Sequence, residues 1–146
     1  ISELHEVLGD DAGIIKVSSG TTAAGRPYAY DIIKHGMTSE DNIPLGIEYT
    51  LNINVKTDEC IMFINASFAE EGNTGMRDSV VLPMFMQANN RENFDDLDGW
   101  FRDPYDPEFK RGLLMNVSEM EELDEKFPWH ALSEARSFAK FVIENN

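Results

Sequence analysis

The sequence predicts an α+β fold in which helices cover an antiparallel β-sheet meander. The strongest observation is residues 46–68, where apolar and polar residues alternate in two runs that Thr57, Asp58 and Glu59 separate. Alternation at period two is typical of half-buried strands, so the segment predicts a β-hairpin. The two apolar sets are Ile47, Tyr49, Leu51, Ile53 and Val55, and then Cys60, Met62, Ile64, Ala66 and Phe68. Short connections between strands and helical spacing later in the chain complete the prediction.

The second strand of this hairpin also carries Ile61 and Phe63 on its other face. Apolar residues on both faces favour a central strand that is covered on each side. Cys60 lies on the inner face in this interpretation, so we expect a buried and unreactive thiol. The alternative is a nucleophile that His130 approaches in space. Desolvation of a buried thiol disfavours the thiolate, which argues against that alternative.

The chain before the hairpin predicts a short helix and two strands. Ser2 is the expected N-cap of the helix. The strands are expected at residues 14–17 and 28–33, with a turn of small residues at 20–25 between them. That turn contains two glycines but lacks the lysine and the following helix that a phosphate-binding loop requires. Residues 35–45 predict a loop.

A helix is predicted to follow the hairpin, with Thr74 as its N-cap. Apolar residues recur there at helical spacing, namely Met76, Val80, Val81, Met84 and Phe85. Pro83 lies inside this pattern and predicts a kink or a second start, because proline removes a helical hydrogen bond. Arg77 and Asp78 are expected to tie the first turn of the helix to the strand ends. The alternative is that Arg77 binds a ligand.

Residues 89–107 predict a long loop in which aromatic residues are interleaved with aspartates. The aspartates beside Gly99 raise the question of calcium, but the EF-hand register fails because its first ligand position would be Phe94. A calcium or magnesium site of another type stays open as an alternative. Long loops often carry function, so the aromatic residues are expected either to anchor the loop or to bind a partner. The candidate partner-binding residues are Trp100, Phe101, Tyr105 and Trp129.

The last third of the chain predicts a short edge strand near residues 111–116, followed by two helices. Residues 118–121 have the capping-box pattern, which predicts that a short helix opens there and that Pro128 ends it. The final helix is expected to begin near Leu132 or Ser133. Its apolar stripe is typical of a helix that packs on a sheet.

The composition predicts a single α+β domain over residues 1–146. There are 27 acidic residues against 12 Lys plus Arg, which gives a formal charge of −15. Such a surface repels nucleic acids and anionic lipids, whose binding depends on basic residues. No run reaches the roughly 18 apolar residues of a membrane span. We expect a cytoplasmic location, with a removed leader as the alternative because the chain opens at Ile1.

The sequence contains no motif for catalysis or for metal binding. The histidines, His5, His35 and His130, are far from one another and from Cys60, so no zinc pattern is visible. A nucleophile elbow, a dinucleotide fingerprint and a kinase signature are also missing. We therefore expect no catalytic residue, no bound metal and no cofactor.

The order of the predicted elements resembles that of the PsbP-like superfamily. The likeness lies in the meander, in the strand-to-helix junction at residues 72–75, in the loop of aspartates and aromatic residues, and in the C-terminal helix. Residues 100–109 and 127–136 are also similar to segments of small uncharacterised bacterial proteins. The first resemblance implies an α/β/α sandwich and a non-catalytic role, as in a small-GTPase-binding factor or a photosystem accessory subunit. It implies no particular binding residues.

The sequence thus predicts a non-catalytic protein-binding module. A specific version is an acidic immunity or inhibitor protein that covers a basic toxin. Loop aromatics beside charges resemble interface hot spots, which favours this class. The competing hypothesis is a small hydrolase or a small-molecule-binding protein with its site at the open end of the sheet.

Overall fold

The computed structural model describes residues 1–41, 43–72 and 74–146. Within these ranges the strands are β1 (Ala12–Thr21), β2 (Pro27–Thr38), β3 (Pro44–Lys56), β4 (Ile61–Ala69), β5 (Phe101–Arg102) and β6 (Met115–Asn116). The α-helices are α1 (Ser2–Val7), α2 (Met76–Ala88) and α3 (Ala131–Glu144), and 3-10 helices run over Val117–Glu119 and Glu121–Lys126. The predicted α+β class is confirmed.

Strands β1 to β4 form an antiparallel sheet in chain order, which confirms the predicted meander. β3 pairs with β4 in one unbroken register, as the hairpin prediction requires. The predicted dry side of β3 is confirmed, because its core residues are at most 1% exposed, namely Tyr49, Leu51, Ile53 and Val55. On β4 the matching side chains Met62, Ile64 and Phe68 are half-buried against the same core.

β4 is an edge strand, so the prediction of a central position is wrong. Ile61 and Phe63 are 67% and 62% exposed on its outer face. The central strands are β2 and β3, and the neighbours Ile32 and Ile33 of β2 are buried in different clusters on opposite faces. The two apolar faces of β4 therefore reflect an uncovered surface and not a second layer.

Cys60 is exposed, so the expectation of a buried thiol is wrong. It lies in the turn that precedes β4, where the backbone N–H of Thr57 donates to the carbonyl oxygen of Cys60 at 2.8 Å. The Thr57 hydroxyl also accepts from the backbone N–H of Cys60 at 3.0 Å. β4 begins at Ile61, one residue after the start that the sequence pattern indicates. Cys60 therefore belongs to the tight turn, and its thiol lies outside the sheet.

Helix cover is unequal on the two faces of the sheet. α3 packs on one face, where Leu132 and Ala139 join the core formed by β1, β2 and β3. On the opposite face, Leu4 and Leu8 at the N-terminal helix pack beside Ile33. This second contact covers only the corner next to β1 and β2.

A second apolar cluster lies beside the sheet and depends on α2. Val81 packs there with Trp100 and Phe127, and the ring of Phe85 stands edge-on to Trp100 with centroids 5.3 Å apart. α2 continues through Pro83 as one helix, so the predicted second start at this residue does not occur. The expected edge strand near residues 111–116 is β6, which pairs with β5 in a separate two-stranded sheet.

β1 and β2 are longer than the sequence predicts, and residues 35–38 belong to β2 and not to a loop. Polar residues at Lys34 and His35 interrupt the apolar alternation there, although both continue the pairing with β3. Ile14 and Ile15 belong to different core clusters on the two faces of the sheet, and the pairing of β1 with β2 has a bulge between Ile14 and Lys16. Neither the bulge nor the length of these strands leaves a clear local pattern in the sequence.

The predicted helix starts are wrong in detail. Ser2 is the first residue of α1 and not its N-cap, and Gly75 replaces Thr74 as the N-cap of α2. Gly75 has a φ of +72°, a conformation that glycine adopts without strain. A capping box does form, but Asn116 and Glu119 make it, and it opens a 3-10 helix.

Candidate functional site

Three buried polar side chains meet at one end of the sheet. Lys34 of β2 and Tyr49 of β3 are register partners, and both contact Glu119. The Lys34 Nζ lies 2.9 Å from the Glu119 Oε1, and the Tyr49 hydroxyl donates to the same oxygen at 2.7 Å. Burial, followed by the charge of Glu119, raises the pKa of Tyr49 well above its ordinary value, so the hydroxyl remains a donor. These groups satisfy one another, which is the usual condition of a structural ion pair.

Arg77 of α2 is fully buried and ties several elements together. Its Nε donates to the Ser118 carbonyl at 2.5 Å, and its terminal nitrogens donate to the Met120 carbonyl and the Ser133 hydroxyl, each at 3.0 Å. A terminal nitrogen also lies 3.0 Å from Asp124. Arg77 therefore joins α2 to the 3-10 helices and to α3, so the expectation that it ties α2 to the strand ends is wrong for this residue. Asp78 does bond a strand end, because it accepts from the side chain of Asn116, the last residue of β6.

Glu70 and His130 close the junction between β4, α2 and α3. The His130 Nε2 lies 2.9 Å from the Glu70 Oε1. The other ring nitrogen, Nδ1, accepts from the Leu132 backbone N–H at 3.2 Å and caps α3. Because Nδ1 accepts, Nε2 carries the proton and donates to Glu70. The second Glu70 oxygen accepts from the Gly75 backbone N–H at 3.4 Å, so one carboxylate holds both helix starts near the end of β4.

An open cleft of about 370 Å³ lies over this junction. Trp129 lines the cleft and is 68% exposed. Met76, at the start of α2, lines it as well. The acidic side chains of the lining are Glu70, Glu71 and Glu134. The cleft thus places an exposed aromatic ring and an exposed thioether within an acidic border.

The outer face of α2 continues this apolar surface away from the cleft. Met76, Val80 and Met84 follow one another at intervals of four residues and are 46%, 49% and 51% exposed. Side chains at this spacing share one face of a helix. The exposed residues of α2 include no charged one, and are Met76, Ser79, Val80, Pro83, Met84, Gln87 and Ala88. We call Met76, Val80, Met84 and Trp129 the α2–Trp129 surface.

The four aromatic residues singled out in the sequence lie in different surroundings. Trp100 is only 3% exposed and belongs to the core, so it is not accessible to a partner. Phe101 is 47% exposed on β5, next to Trp100. Tyr105 is partly exposed, but its hydroxyl bonds the backbone of Val17 on β1. Trp129 alone of the four lines the cleft.

Cys60 and His130 cannot form a catalytic pair in this fold. Cys60 precedes the first residue of β4, whereas His130 bonds Glu70, which follows the last residue of β4. A strand rises by about 3.3 Å per residue, so the nine residues of β4 separate the two groups by about 30 Å.

The aspartate-rich loop is held by hydrogen bonds and ion pairs. Asp103 is buried, lies 2.8 Å from the His5 Nε2, and accepts from the backbone N–H groups of Tyr105 and Asp106. Arg91 pairs with Asp96. In the part of the chain that the structure describes, no group of three or more His, Cys, Asp or Glu side chains could hold a metal ion.

The sequence pattern identifies the apolar residues of α2 but not which of them face water. Met76, Val80 and Met84 alternate along the helix with Val81 and Phe85, and both sets have helical spacing. The informative signal is the charge pattern, because the charged residues of α2 are Arg77, which is buried, and Asp78, which is half-buried. An exposed helix face that carries apolar residues and no charged ones is typical of a surface that contacts a partner.

Among the described residues, no helix is both long enough and apolar enough to cross a membrane. Comparisons with protein-family models, with curated proteins and with solved structures found no match to this chain. Function must therefore be argued from the geometry of the chain itself.

Proposed function

We propose that this chain is a non-catalytic protein-binding module whose α2–Trp129 surface takes a basic amphipathic segment of another protein. One observation carries the proposal: the uncharged outer face of α2 lies beside an exposed tryptophan and a border of glutamates. Contiguous apolar surface with a polar rim is typical of interaction sites on proteins that are otherwise well solvated.

The side chains of this surface suit the binding of a helix or an extended peptide. Trp129 offers a large apolar ring with one donor, and tryptophan is enriched among interface hot spots. Met76 and Met84 are flexible and polarisable, so they adapt to the shape of an apolar partner. Their spacing of eight residues presents anchors over two turns, about 12 Å along α2.

The charge of the molecule favours a basic partner. The chain carries 27 acidic residues against 12 Lys plus Arg, and the exposed acids Glu71 and Glu134 border the cleft. Such a field accelerates the encounter with a positively charged patch and is screened by salt. An immunity or inhibitor protein that covers a basic toxin is the specific form of this proposal.

A peptide titration tests the proposal. The probe is a synthetic amphipathic helix with lysines beside leucines, and the companion peptide has each lysine replaced by glutamine. We expect the lysine peptide to bind and the glutamine peptide not to bind. The affinity of the lysine peptide should fall as salt rises, and its binding should protect Trp129 from acrylamide quenching. The buried Trp100 supplies an internal reference, because it is shielded from the quencher in the free chain.

A matched pair of variants locates the binding face. Val80→Lys places a positive charge at the centre of the α2–Trp129 surface, whereas Val7→Lys adds the same charge on α1, where Val7 is 77% exposed. We expect Val80→Lys to lower the affinity at least tenfold, about 1.4 kcal/mol, with Val7→Lys close to the parent. The same two variants apply when a basic protein is captured from the native host. Equal binding by both variants would contradict the proposal.

The competing hypothesis is a hydrolase or a small-molecule-binding protein, with its site at the end of the sheet. One observation favours it: a cavity of about 290 Å³ is lined by Lys34, Tyr49, Asp78 and Glu119. Ionisable groups gathered in a cavity are typical of active sites. A screen of metabolites by melting temperature tests it, because a bound ligand must raise stability by mass action. If a metabolite raises the melting temperature of the Lys34→Met variant as much as that of the parent chain, it binds outside this cavity.

A further inference from the structure

The outer edge of β4 lacks the features that usually protect an edge strand. Its nine residues include no charged residue, no proline and no glycine, and its pairing with β3 has no bulge. Natural edge strands are normally blunted by such features or covered by another segment. Across the described ranges, β3 is the only strand that pairs with β4. The other edge of the sheet differs, because Tyr105 and Leu113 bond the backbone of β1.

The hydrogen bonds at the two ends of β4 show which backbone groups face outward. The Thr57 N–H donates to the Cys60 carbonyl at 2.8 Å, and the Glu70 N–H donates to the Ile47 carbonyl at 2.9 Å. In an antiparallel pair, bonded and non-bonded residues alternate. The even-numbered residues from 60 to 70 therefore bond β3. The odd-numbered residues from 61 to 69 direct their N–H and C=O groups to the free edge.

A ladder of polar side chains runs across the exposed face of the sheet and ends at this edge. Asp31, Asn52 and Asn65 lie on β2, β3 and β4 at paired positions. The Asn52 amide donates to Asp31 at 2.8 Å, and the Asn65 amide donates to Asn52 at 2.7 Å. Asn65 thus retains one N–H and its own amide oxygen for a neighbour beyond β4.

Exposed apolar side chains lie on both sides of the same edge. Ile61 and Phe63 are 67% and 62% exposed on the outer face. On the inner side, Phe138 of α3 packs against Phe68 with centroids 6.1 Å apart. Phe141, one turn beyond Phe138 on α3, is 59% exposed.

We propose that a second copy of this chain pairs with β4, antiparallel, with the two-fold axis at Asn65. Asn65 then faces Asn65 of the partner copy, Phe63 faces Ser67, and Ile61 faces Ala69. All of these are odd-numbered positions, so each residue donates and accepts one backbone bond across the axis. The two Asn65 amides bond each other reciprocally, which continues the polar ladder from one sheet into the other.

A second copy fits this edge better than a charged partner strand would. Each copy brings a strand without charge, so the net charge of −15 does not place like charges at the axis itself. Full cover of Ile61, Phe63 and Phe141 in both copies would bury roughly 700 Å². The backbone of the two strands and the half-buried Met62 and Ile64 add to that area, and specific interfaces begin near about 1,000 Å².

Sedimentation velocity and light scattering over a concentration series test the association. We expect a mass of twice 16.5 kDa for the parent chain at high concentration. Asn65→Lys places two like charges at the axis and should leave only monomer. The control is Asn54→Lys, which puts the same charge on an exposed position of β3, and it should still dimerise. A parent chain that is monomeric at every concentration, or equal association of both variants, would overturn the proposal.

Cross-linking tests the register. In a background with Cys60→Ala, Asn65→Cys should form an intermolecular disulfide under mild oxidation, because paired residues have Cα atoms about 5.5 Å apart. Ser67→Cys is the control, since two Ser67 positions lie four residues out of register. Efficient cross-linking of Ser67→Cys with none for Asn65→Cys would contradict an axis at Asn65.

Discussion

At the scale of single residues, the groups that close the end of the sheet come from distant parts of the chain. The inward position of Tyr49 follows from the alternation of β3, but its acceptor, Glu119, is 70 residues away in sequence. No local pattern encodes such a pairing. Lys34 is the one local sign of such a contact in the sequence. A lysine among the inward-facing residues of a strand needs an acidic partner in the core.

Tyr49→Phe tests the weight of this pairing. The substitution removes the hydroxyl donor and leaves one oxygen of buried Glu119 with the Lys34 contact alone. We expect the free energy of unfolding to fall by about 1–3 kcal/mol in urea titrations. Tyr28→Phe is the control, because the Tyr28 ring is half-buried against the same core. A loss that is the same for both variants would show that the bond to Glu119 contributes nothing.

Asp31→Asn tests how the partly buried carboxylate at the first position of the polar ladder affects stability. Desolvation raises the pKa of Asp31, and the bond from Asn52 opposes that rise only in part. A carboxyl whose pKa is raised by folding stabilises the protein below its unfolded pKa, and that stabilisation is lost as pH rises through the folded pKa. Asp31→Asn keeps the acceptor for Asn52 without the charge, so we expect it to raise the melting temperature at pH 7 more than at pH 3.

The control for that experiment is Asp95→Asn, which removes one charge from an exposed position. It reduces the net negative charge by the same amount, but the carboxylate that it removes is exposed to water. The expected difference between the two variants is therefore confined to neutral pH, and differential melting by calorimetry across the pH range measures it. Identical pH profiles would contradict the assignment of a raised pKa to Asp31.

At the scale of elements, the strongly periodic segments are the predictable ones. Two examples are the β3–β4 hairpin and α3. In each of them the regularly spaced apolar residues lie on one face and pack into the core. Whether β4 is central or at an edge depends, by contrast, on the order of the strands, which local spacing does not encode. Ile61 and Phe63 indicate only that both faces of β4 carry apolar residues. The α2–Trp129 surface could not be predicted from the sequence for a similar reason. Helical spacing alone does not distinguish Val81, which is buried, from Val80, which is exposed.

Pro83→Ala tests how α2 tolerates its proline. Pro83 and Ser79 are both exposed, so water can reach the Ser79 carbonyl that lacks its helical donor. Alanine restores that donor and removes the clash of the ring, and we expect the free energy of unfolding to rise by about 1–3 kcal/mol in urea titrations. The control is Ser79→Ala, which alters the same exposed turn without adding a backbone N–H. An unchanged or lower stability would mean that the fold already absorbs the cost of the proline.

At the scale of the whole molecule, the charge of −15 is the dominant feature that the sequence alone supplies. Excess negative charge destabilises the compact state by self-repulsion, which salt screens within a Debye length. Ion pairs at the surface, such as Lys16 with Glu121, oppose this effect only weakly. Net charge thus sets how the molecule responds to solution conditions, even though it does not determine the fold.

Salt should therefore stabilise the folded chain at neutral pH. We expect the melting temperature to rise from about 0.01 M to about 1 M sodium chloride at pH 7, as the screening length falls from about 30 Å to about 3 Å. Repeating the series near pH 4.4, where the net charge is close to zero, supplies the control. A salt response of the same size at both pH values would show that self-repulsion is not its cause.

The exposed thiol at the tip of the β3–β4 hairpin gives the molecule a single natural point of attachment. A maleimide dye at Cys60 sits at the far end of β4 from Trp129, about 30 Å away by the rise of the strand. At that separation, energy transfer from the indole to a chosen acceptor is sensitive to small changes in length. One labelled molecule can thus report occupancy at its opposite end without any engineered cysteine.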